Sequence, residues 1–226
     1  MFKRYSKKLL LNLYQTFSYF QIMLFKNRTI IVGDSHGRLL FSLKNSSNKL
    51  LLYKAQPTLK INFILFWVNL TSYKFYSIEF TEWIYKIISK YKANNLVISC
   101  GEIDIRYYAN LDSTENIKIV ANKFCDKIIE LSKIHNLNIF YIIPIAPCRK
   151  LSKKKEKGRI PFEGTYYQRL ESFKKYKKII LNRLNNFASI KIIDLNFQCN
   201  EKHCEHDKDY IHFKDSHRLK ILEKFN

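Results

Sequence analysis

Glycine, proline, alanine and acidic residues are scarce in this chain of 226 residues, which has five glycines and four prolines. This scarcity accompanies abundant lysine, asparagine, isoleucine, tyrosine and phenylalanine, a composition that an AT-rich genome favours. The 40 lysines and arginines exceed the 19 acidic residues, so the formal charge is +21. The excess predicts attraction to phosphate, anionic lipid or acidic glycan. The alternative is that much of the charge is compositional and lies on a solvated surface.

Cysteines are few and odd in number, which argues against a disulfide framework. They are Cys100, Cys125, Cys148, Cys199 and Cys204. Most lie in apolar contexts, as reduced thiols of a cytoplasmic protein do. A hydrophobic content of 46% excludes a disordered chain. The length predicts a single domain with a substantial core.

The N-terminus lacks both a clean transmembrane span and a small-residue cleavage site. Basic residues precede the apolar stretch 9–25, but Ser18 and Gln21 interrupt it. Other polar residues within this stretch recur at helical spacing on one side. This pattern predicts an amphipathic helix within residues 1–27. This helix either packs on the domain, which is expected to span 28–226, or makes a peripheral membrane contact.

Short apolar runs alternate with helical patterns, which predicts an α/β protein whose parallel sheet is covered on both faces. Strands are predicted over 29–32, 49–53, 96–99, 139–145 and 190–195, and 61–68 is an apolar run of uncertain type. Helices are predicted over 38–43, 78–91, 114–134, 165–187 and 216–225. Asp112 and Glu115 have the spacing of a capping box for the third helix.

The run 30–37 reads Ile-Ile-Val-Gly-Asp-Ser-His-Gly and predicts a strand, a tight turn and a helix. Ser35 lies on that turn. The carboxyl end of a parallel strand is where α/β proteins expose reactive groups to helix N-termini and free N–H groups. Ser35 is therefore a candidate nucleophile. The alternative is a serine that caps the following helix.

Near the other end of the chain, Asp209 and His212 lie three residues apart. On a loop or a single turn, that spacing allows the carboxylate to accept the Nδ1 proton of the imidazole. The Nε2 atom then faces a serine hydroxyl, as a Ser-His-Asp triad requires.

A third polar segment follows the apolar run 96–99. Gly101 ends the run, and Glu102, Asp104 and Arg106 follow at alternate positions. Such a cluster either holds a loop in place or binds substrate. The alternative is an ion-pair cluster with a structural role alone.

Together these three blocks resemble the SGNH hydrolases, or GDSL-type esterases and lipases. Residues 33–36 match the first block, 101–104 stand at the Gly-x-Asn-Asp block, and 209–212 match the final Asp-x-x-His. The Gly-Glu-Ile-Asp-x-Arg variant and the segment 161–165 are similar to a polysaccharide-related subgroup. The resemblance implies a flavodoxin-like, three-layer α/β/α sandwich with a five-stranded parallel sheet. It also implies an activity on ester-linked acyl groups without a metal or other cofactor.

The resemblance assigns roles to three residues. Ser35 is the nucleophile, His212 is the general base, and Asp209 orients His212. The backbone N–H of Ser35 donates to the oxyanion. We therefore expect a serine esterase or O-acyltransferase for an acylated, above all acetylated, carbohydrate.

The oxyanion hole departs from the family pattern. Ile103 stands where an asparagine donor is expected, and no glycine occurs between Gly37 and Gly101. A backbone N–H from Ser72 and the side chain of Arg106 are candidate replacements. This departure motivates a second hypothesis, a catalytically weakened glycan-binding domain.

Three further sequence features have ordinary structural interpretations. The basic segment 149–159 either attracts an anionic substrate or is a solvated loop. A cysteine and histidine cluster within 199–206 has a spacing that no common zinc site uses, so no metal is expected. Asp-Ser-His recurs at 215–217, where it is interpreted as a helix cap. No nucleic-acid-binding motif accompanies the charge, so nucleic acid is not an expected partner.

Overall fold

The computed structural model describes residues 28–34, 50–53, 64–67, 70–108, 114–148 and 164–194. In chain order the elements are β1 (Thr29–Gly33), β2 (Leu50–Tyr53), β3 (Ile64–Trp67), α1 (Ser72–Phe75), α2 (Ile78–Tyr91), β4 (Asn95–Ser99), α3 (Glu102–Tyr108), α4 (Thr114–Ser132), β5 (Asn138–Ile142), α5 (Tyr166–Leu184) and β6 (Ile190–Ile193). Outside the described residues lie the predicted N-terminal helix, the helices at 38–43 and 216–225, Asp112, and the segments 149–159 and 199–206.

Strands β1, β4, β5 and β6 form a parallel sheet in that order. Strands β2 and β3 pair with each other in antiparallel fashion. The sheet among the described residues thus has four strands, not the five that were predicted. The predicted strand at 49–53 joins the hairpin instead, and the uncertain run at 61–68 contains its partner β3. Apolar periodicity marks a strand, but it does not choose between a parallel and an antiparallel neighbour.

Helix α2 has the predicted bounds because its ends carry strong signals. The side chain of Ser77 accepts the Phe80 N–H, and Lys92 ends the helix in a left-handed conformation. The predicted helix at 165–187 begins at Tyr166 because Thr165 and Gln168 form a capping box. The predicted helix at 114–134 ends at Ser132. The short helices α1 and α3 were not predicted.

The core lies between the sheet and helices α2, α4 and α5. Successive crossovers in one direction along the sheet bring their helices to one face. Alternate strand residues, including Val32, Ile98 and Tyr141, form one buried cluster with residues of these helices. Ile31 and Val97, which point to the opposite face, are buried as well. Both faces of the sheet are therefore covered, as a parallel sheet requires.

Candidate active site at the carboxyl edge of the sheet

The carboxyl end of β1 lies between two neighbouring segments. The N–H of Asp34 donates to the Ser99 carbonyl of β4 at 2.8 Å, and the Gly33 carbonyl accepts the Leu70 N–H at 3.2 Å. Adjacent residues of an extended strand direct these groups to opposite sides. The segment 70–73 thus flanks β1 on the side away from β4. In α/β proteins a crevice between such segments is the usual ligand site.

Two glycines permit this close arrangement. A Cβ atom at Gly33 would collide with the Ser99 carbonyl oxygen of the neighbouring strand. Gly101 has a φ of +117°, and a Cβ there would lie 2.7 Å from the Tyr176 hydroxyl. Larger residues at these positions would force the strand ends apart or strain the backbone.

The carboxylate of Asp104 joins α3 to the segment that flanks β1. Its Oδ2 accepts the Ser72 N–H at 2.6 Å, and its Oδ1 accepts the Tyr73 N–H at 3.2 Å. We call this pair of bonds the Asp104 clamp. Burial raises the pKa of Asp104 to about 6, although the N–H donors of Ser72 and Tyr73 act to lower it. At neutral pH the clamp is therefore an ionised, buried carboxylate.

A chain of buried hydroxyl groups lies beneath the clamp. Tyr141 donates to the Cys100 carbonyl at 2.9 Å, Tyr176 and Tyr141 lie 3.1 Å apart at their hydroxyls, and Ser72 Oγ lies 2.7 Å from Tyr176 Oη. Each hydroxyl has one proton. Tyr141 uses its proton on the Cys100 carbonyl, and the Tyr176 hydroxyl lies within hydrogen-bond distance of both Tyr141 and Ser72. This ordered hydroxyl chain connects α1, α5, β5 and the end of β4.

A charged cluster lies between α3 and α5. Arg106 forms an ion pair with Glu102 one turn away, with Nε to Oε1 at 2.6 Å. Arg169 is 1% exposed and donates from Nη1 to the Gly164 carbonyl at 2.6 Å. Burial lowers the pKa of Arg169, and the positive charge of Arg106 lowers it further. The two guanidinium groups and Glu102 thus interact at the edge of the sheet that carries the Asp104 clamp.

The structure brings together five of the residues proposed from sequence: Ser72, Gly101, Glu102, Asp104 and Arg106. Ser35, Asp209 and His212 lie outside the described residues. The segment after Gly101 is helix α3, not the loop that was expected, because Glu102 begins regular i→i+4 bonding there. The buried N–H of Ser72 donates to Asp104, so in this structure it is not an oxyanion donor.

Sequence reasoning missed Tyr141, Tyr176 and Arg169. Tyr141 belongs to a strand pattern, and Tyr176 follows the apolar spacing of α5, so each reads as an ordinary core residue. The signal that a partner is needed is the phenol itself, since a buried hydroxyl must form a hydrogen bond. The sequence does not identify which residue the buried hydroxyl will bond to.

The described parts of the chain contain neither a candidate metal centre nor a candidate membrane span. Within them, no three histidine, cysteine, aspartate or glutamate side chains come close enough to hold a metal ion. None of the helices in these parts combines the length and apolar character needed to cross a membrane.

Two of the solved structures that share this architecture are named as acetylxylan esterases. An acetyl xylan esterase aligns over 87% of this chain and 96% of its own, with 16% identity and a TM-score of 0.53. A catalytic mutant of an acetylxylan esterase from Geobacillus stearothermophilus aligns over 89% of this chain and 92% of its own, with 11% identity and a TM-score of 0.50. A GDSL-like lipase from Bacteroides thetaiotaomicron covers 88% of this chain and 85% of its own, with 12% identity and a TM-score of 0.49.

No sequence profile of a protein family and no curated protein sequence matches the chain. The structural alignments with the two acetylxylan esterases extend over most of both partners and establish a shared fold. The chain has the SGNH hydrolase fold, as the three sequence blocks predicted.

Proposed function

We propose that this protein is a serine esterase or O-acyltransferase that acts on ester-linked acyl groups, above all acetyl groups, of a carbohydrate. One observation carries the proposal. The two residues that precede Ser35 are held at the carboxyl end of β1 between the end of β4 and the segment 70–73. Reactive groups of α/β proteins lie at the carboxyl ends of the strands, so Ser35, the next residue in the sequence, is the proposed nucleophile.

In the proposed mechanism, Ser35 Oγ attacks the acyl carbonyl carbon while His212 accepts its proton. Asp209 orients His212 and stabilises the imidazolium. The tetrahedral intermediate collapses as His212 returns the proton to the departing sugar oxygen, and an acyl-enzyme remains. Water or a second sugar hydroxyl then attacks the acyl-enzyme and gives its proton to His212. As the bond between the acyl carbon and Ser35 Oγ breaks, His212 returns that proton to Ser35, and the free acid or the acylated sugar departs. No step requires a metal or an organic cofactor.

The oxyanion receives its first donor from the Ser35 backbone N–H. We assign the second to Thr71, because its neighbours are engaged: the Leu70 N–H bonds to Gly33, and the Ser72 and Tyr73 N–H groups bond to Asp104. Among the described residues, the Thr71 N–H has no such partner. Ile103 has no side-chain amide and so cannot replace the asparagine donor of the family. Loss of one oxyanion donor costs about 3 kcal/mol of transition-state stabilisation in known cases.

The structural neighbours support carbohydrate as the proposed substrate class. Two aligned proteins with the same fold are named acetylxylan esterases. The resemblance of residues 101–106 to a polysaccharide-related subgroup agrees with that class. We place the activity in the cytoplasm, because the odd set of cysteines fits reduced thiols and Cys100, Cys125 and Cys148 are free.

Fluorophosphonate labelling tests the nucleophile directly. Wild-type protein is expected to take up one label and to hydrolyse p-nitrophenyl acetate, whereas Ser35→Ala takes up none and loses ~10³-fold or more in turnover. Ser216→Ala is the matched control, because Asp-Ser-His recurs there, and it is expected to label normally. Equal labelling and equal rates for Ser35→Ala and wild type would overturn the proposal.

A second candidate function is glycan binding with weak or no catalysis. Ile103 favours it, because this residue is buried on α3 at the position where the family has an amide donor. The same experiment separates the two functions. Binding of an acylated oligosaccharide without labelling of Ser35 would favour the second candidate.

A further inference from the structure

Four tyrosines lie on or directly after the two short helices, α1 and α3, that the Asp104 clamp joins. Tyr73 and Tyr76 contact edge to face with ring centroids 5.4 Å apart, and Tyr107 and Tyr108 do the same at 5.1 Å. The two pairs lie close together. After burial, the Tyr108 phenol is the next largest cause of the rise in the pKa of Tyr76 to about 12, and Tyr73 acts on both Tyr76 and Tyr108. We call this set of four residues the tyrosine surface.

The tyrosine surface is open to solvent although it is anchored. Tyr73 is 56% exposed and Tyr107 is 48% exposed, whereas Tyr76 and Tyr108 are half-buried. The Nζ of Lys123 lies 5.6 Å from the centroid of the Tyr76 ring and holds that ring from the side of α4. Tyrosine side chains have only two χ angles, so they present a large contact area at low entropic cost.

This surface adjoins the candidate active site. The Tyr73 N–H is one of the two donors of the Asp104 clamp. Tyr107 and Tyr108 lie three and four residues after Asp104 on α3, so they share its face of the helix. The tyrosine surface therefore borders the segment 70–73, which flanks the end of β1.

We propose that the tyrosine surface binds a sugar ring of a neutral saccharide and so holds a polymeric substrate beside the active site. The inference rests in part on the proposed function, since it names where the carbohydrate is held. A saccharide fits because it offers apolar C–H faces to the rings and hydroxyl groups to the phenol edges, so that both parts of each tyrosine are satisfied.

Other occupants fit less well. A lipid or an apolar protein face would cover four phenol hydroxyls without supplying hydrogen bonds, which is costly. Single-stranded nucleic acid also stacks on aromatic rings, but it needs a positively charged groove along its backbone. The Asp104 carboxylate is buried next to Tyr73, and Arg106 on the same helix is paired with Glu102.

The test compares binding of soluble xylan, glucomannan and mixed-linkage β-glucan by full-length wild type and Tyr73→Ala/Tyr107→Ala. Affinity electrophoresis toward the cathode measures the dissociation constants. We expect the wild type to be retarded by at least one polysaccharide and the double variant to bind it about tenfold more weakly, the size expected for loss of ring stacking. Tyr167→Ala is the matched control, because Tyr167 is 64% exposed on α5 and lies outside the surface. It should bind as the wild type does, and Tyr107→Phe, which keeps the ring, should retain most of the affinity.

Equal retardation of wild type and the double variant on every polysaccharide, or no retardation of either, would overturn the inference. Tyrosine-dependent binding of a dT oligonucleotide with no polysaccharide binding would also overturn it and would identify a nucleic-acid site. Failure of the proposed function is separate: Ser35 would then escape fluorophosphonate, while the tyrosine-dependent retardation would persist.

Discussion

The two edges of the parallel sheet are built from different chemistry. The carboxyl edge includes short hydrogen bonds between buried groups, such as the 2.6 Å bond from the Ser72 N–H to Asp104. At the amino edge, asparagines bridge the strand starts near solvent, as in the 3.4 Å bond from Asn138 to Asn95. Among the eight buried polar or charged side chains of the described residues, Thr29 alone lies at the amino edge.

This difference shows where buried polar interactions fix the geometry of the fold. Buried polar groups are costly unless every partner is met, and a satisfied network holds its members in one arrangement. The asparagines of the amino edge can exchange their bonds with water at little cost. Rigid placement is thus concentrated at the edge where we propose that the chemistry occurs.

The largest effect is expected from Gly101→Ala at the carboxyl edge. The variant adds a Cβ at a φ of +117° and 2.7 Å from the Tyr176 hydroxyl, so we expect a loss of about 3 kcal/mol in unfolding free energy. Lys92→Ala is the control at the amino edge, since Lys92 has a φ of 47° and is exposed; its effect should stay within about 0.5 kcal/mol. Urea denaturation measures both, and equal effects would contradict the contrast between the edges.

The next effect is a pH dependence carried by Asp104. Its pKa is raised from 3.8 to about 6, so the folded state binds a proton that the unfolded state releases between these values. The stabilising contribution is greatest below pH 3.8 and is lost as pH rises through about 6. The difference in unfolding free energy between wild type and Asp104→Asn should therefore fall by about 2 kcal/mol from pH 4.5 to 7.

The matched carboxylate for this comparison is Glu130, near the amino edge. A hydrogen bond from Lys127 lowers the pKa of Glu130, and one from Tyr85 lowers it further. Its small contribution is present above its ordinary pKa of 4.5 and is lost as pH falls, which is the opposite sign. A difference between wild type and Asp104→Asn that is flat with pH would show that the clamp carboxylate is not perturbed.

The smallest effect concerns one hydroxyl. Tyr176→Phe removes the middle member of the hydroxyl chain, so Ser72 and Tyr141 each lose a hydrogen-bond partner. Because these groups are buried, we expect a loss of about 1.5 kcal/mol. Tyr85→Phe is the control, since its hydroxyl bonds to Glu130 at an exposed position, and should cost less than about 0.5 kcal/mol. Thermal unfolding measures the loss of stability in both variants. Equal losses would contradict the prediction that burial makes the Tyr176 hydroxyl more important.

The sequence predicted those elements whose ends carry clear capping or turn residues. Helix α2 was predicted with its observed bounds because apolar spacing and the turn residues around it agree. Helix α3 was missed because its first residues, Glu-Ile-Asp-Ile, alternate polar and apolar side chains as a half-buried strand does. The hairpin was missed because the chain separating β2 from β3 does not specify the direction of pairing.

The site was predicted in part for the same reason. Gly101, Asp104 and Arg106 were identified because they follow a strand end, where ligands bind in α/β folds. The sequence did not indicate that Asp104 would hold Ser72 and Tyr73, since their separation of about thirty residues leaves no local pattern.

The sequence alone determined the alternation of strands and helices, the two glycines at neighbouring strand ends, and the candidate nucleophile Ser35 two residues past β1. These follow from periodicity and turn chemistry, which act over a few residues. Only the tertiary structure decided that Ser72 meets Tyr176, 104 residues away, and that four tyrosines share one surface. Periodicity sets which face of an element is buried, but the partner on that face is chosen by how all the elements pack together.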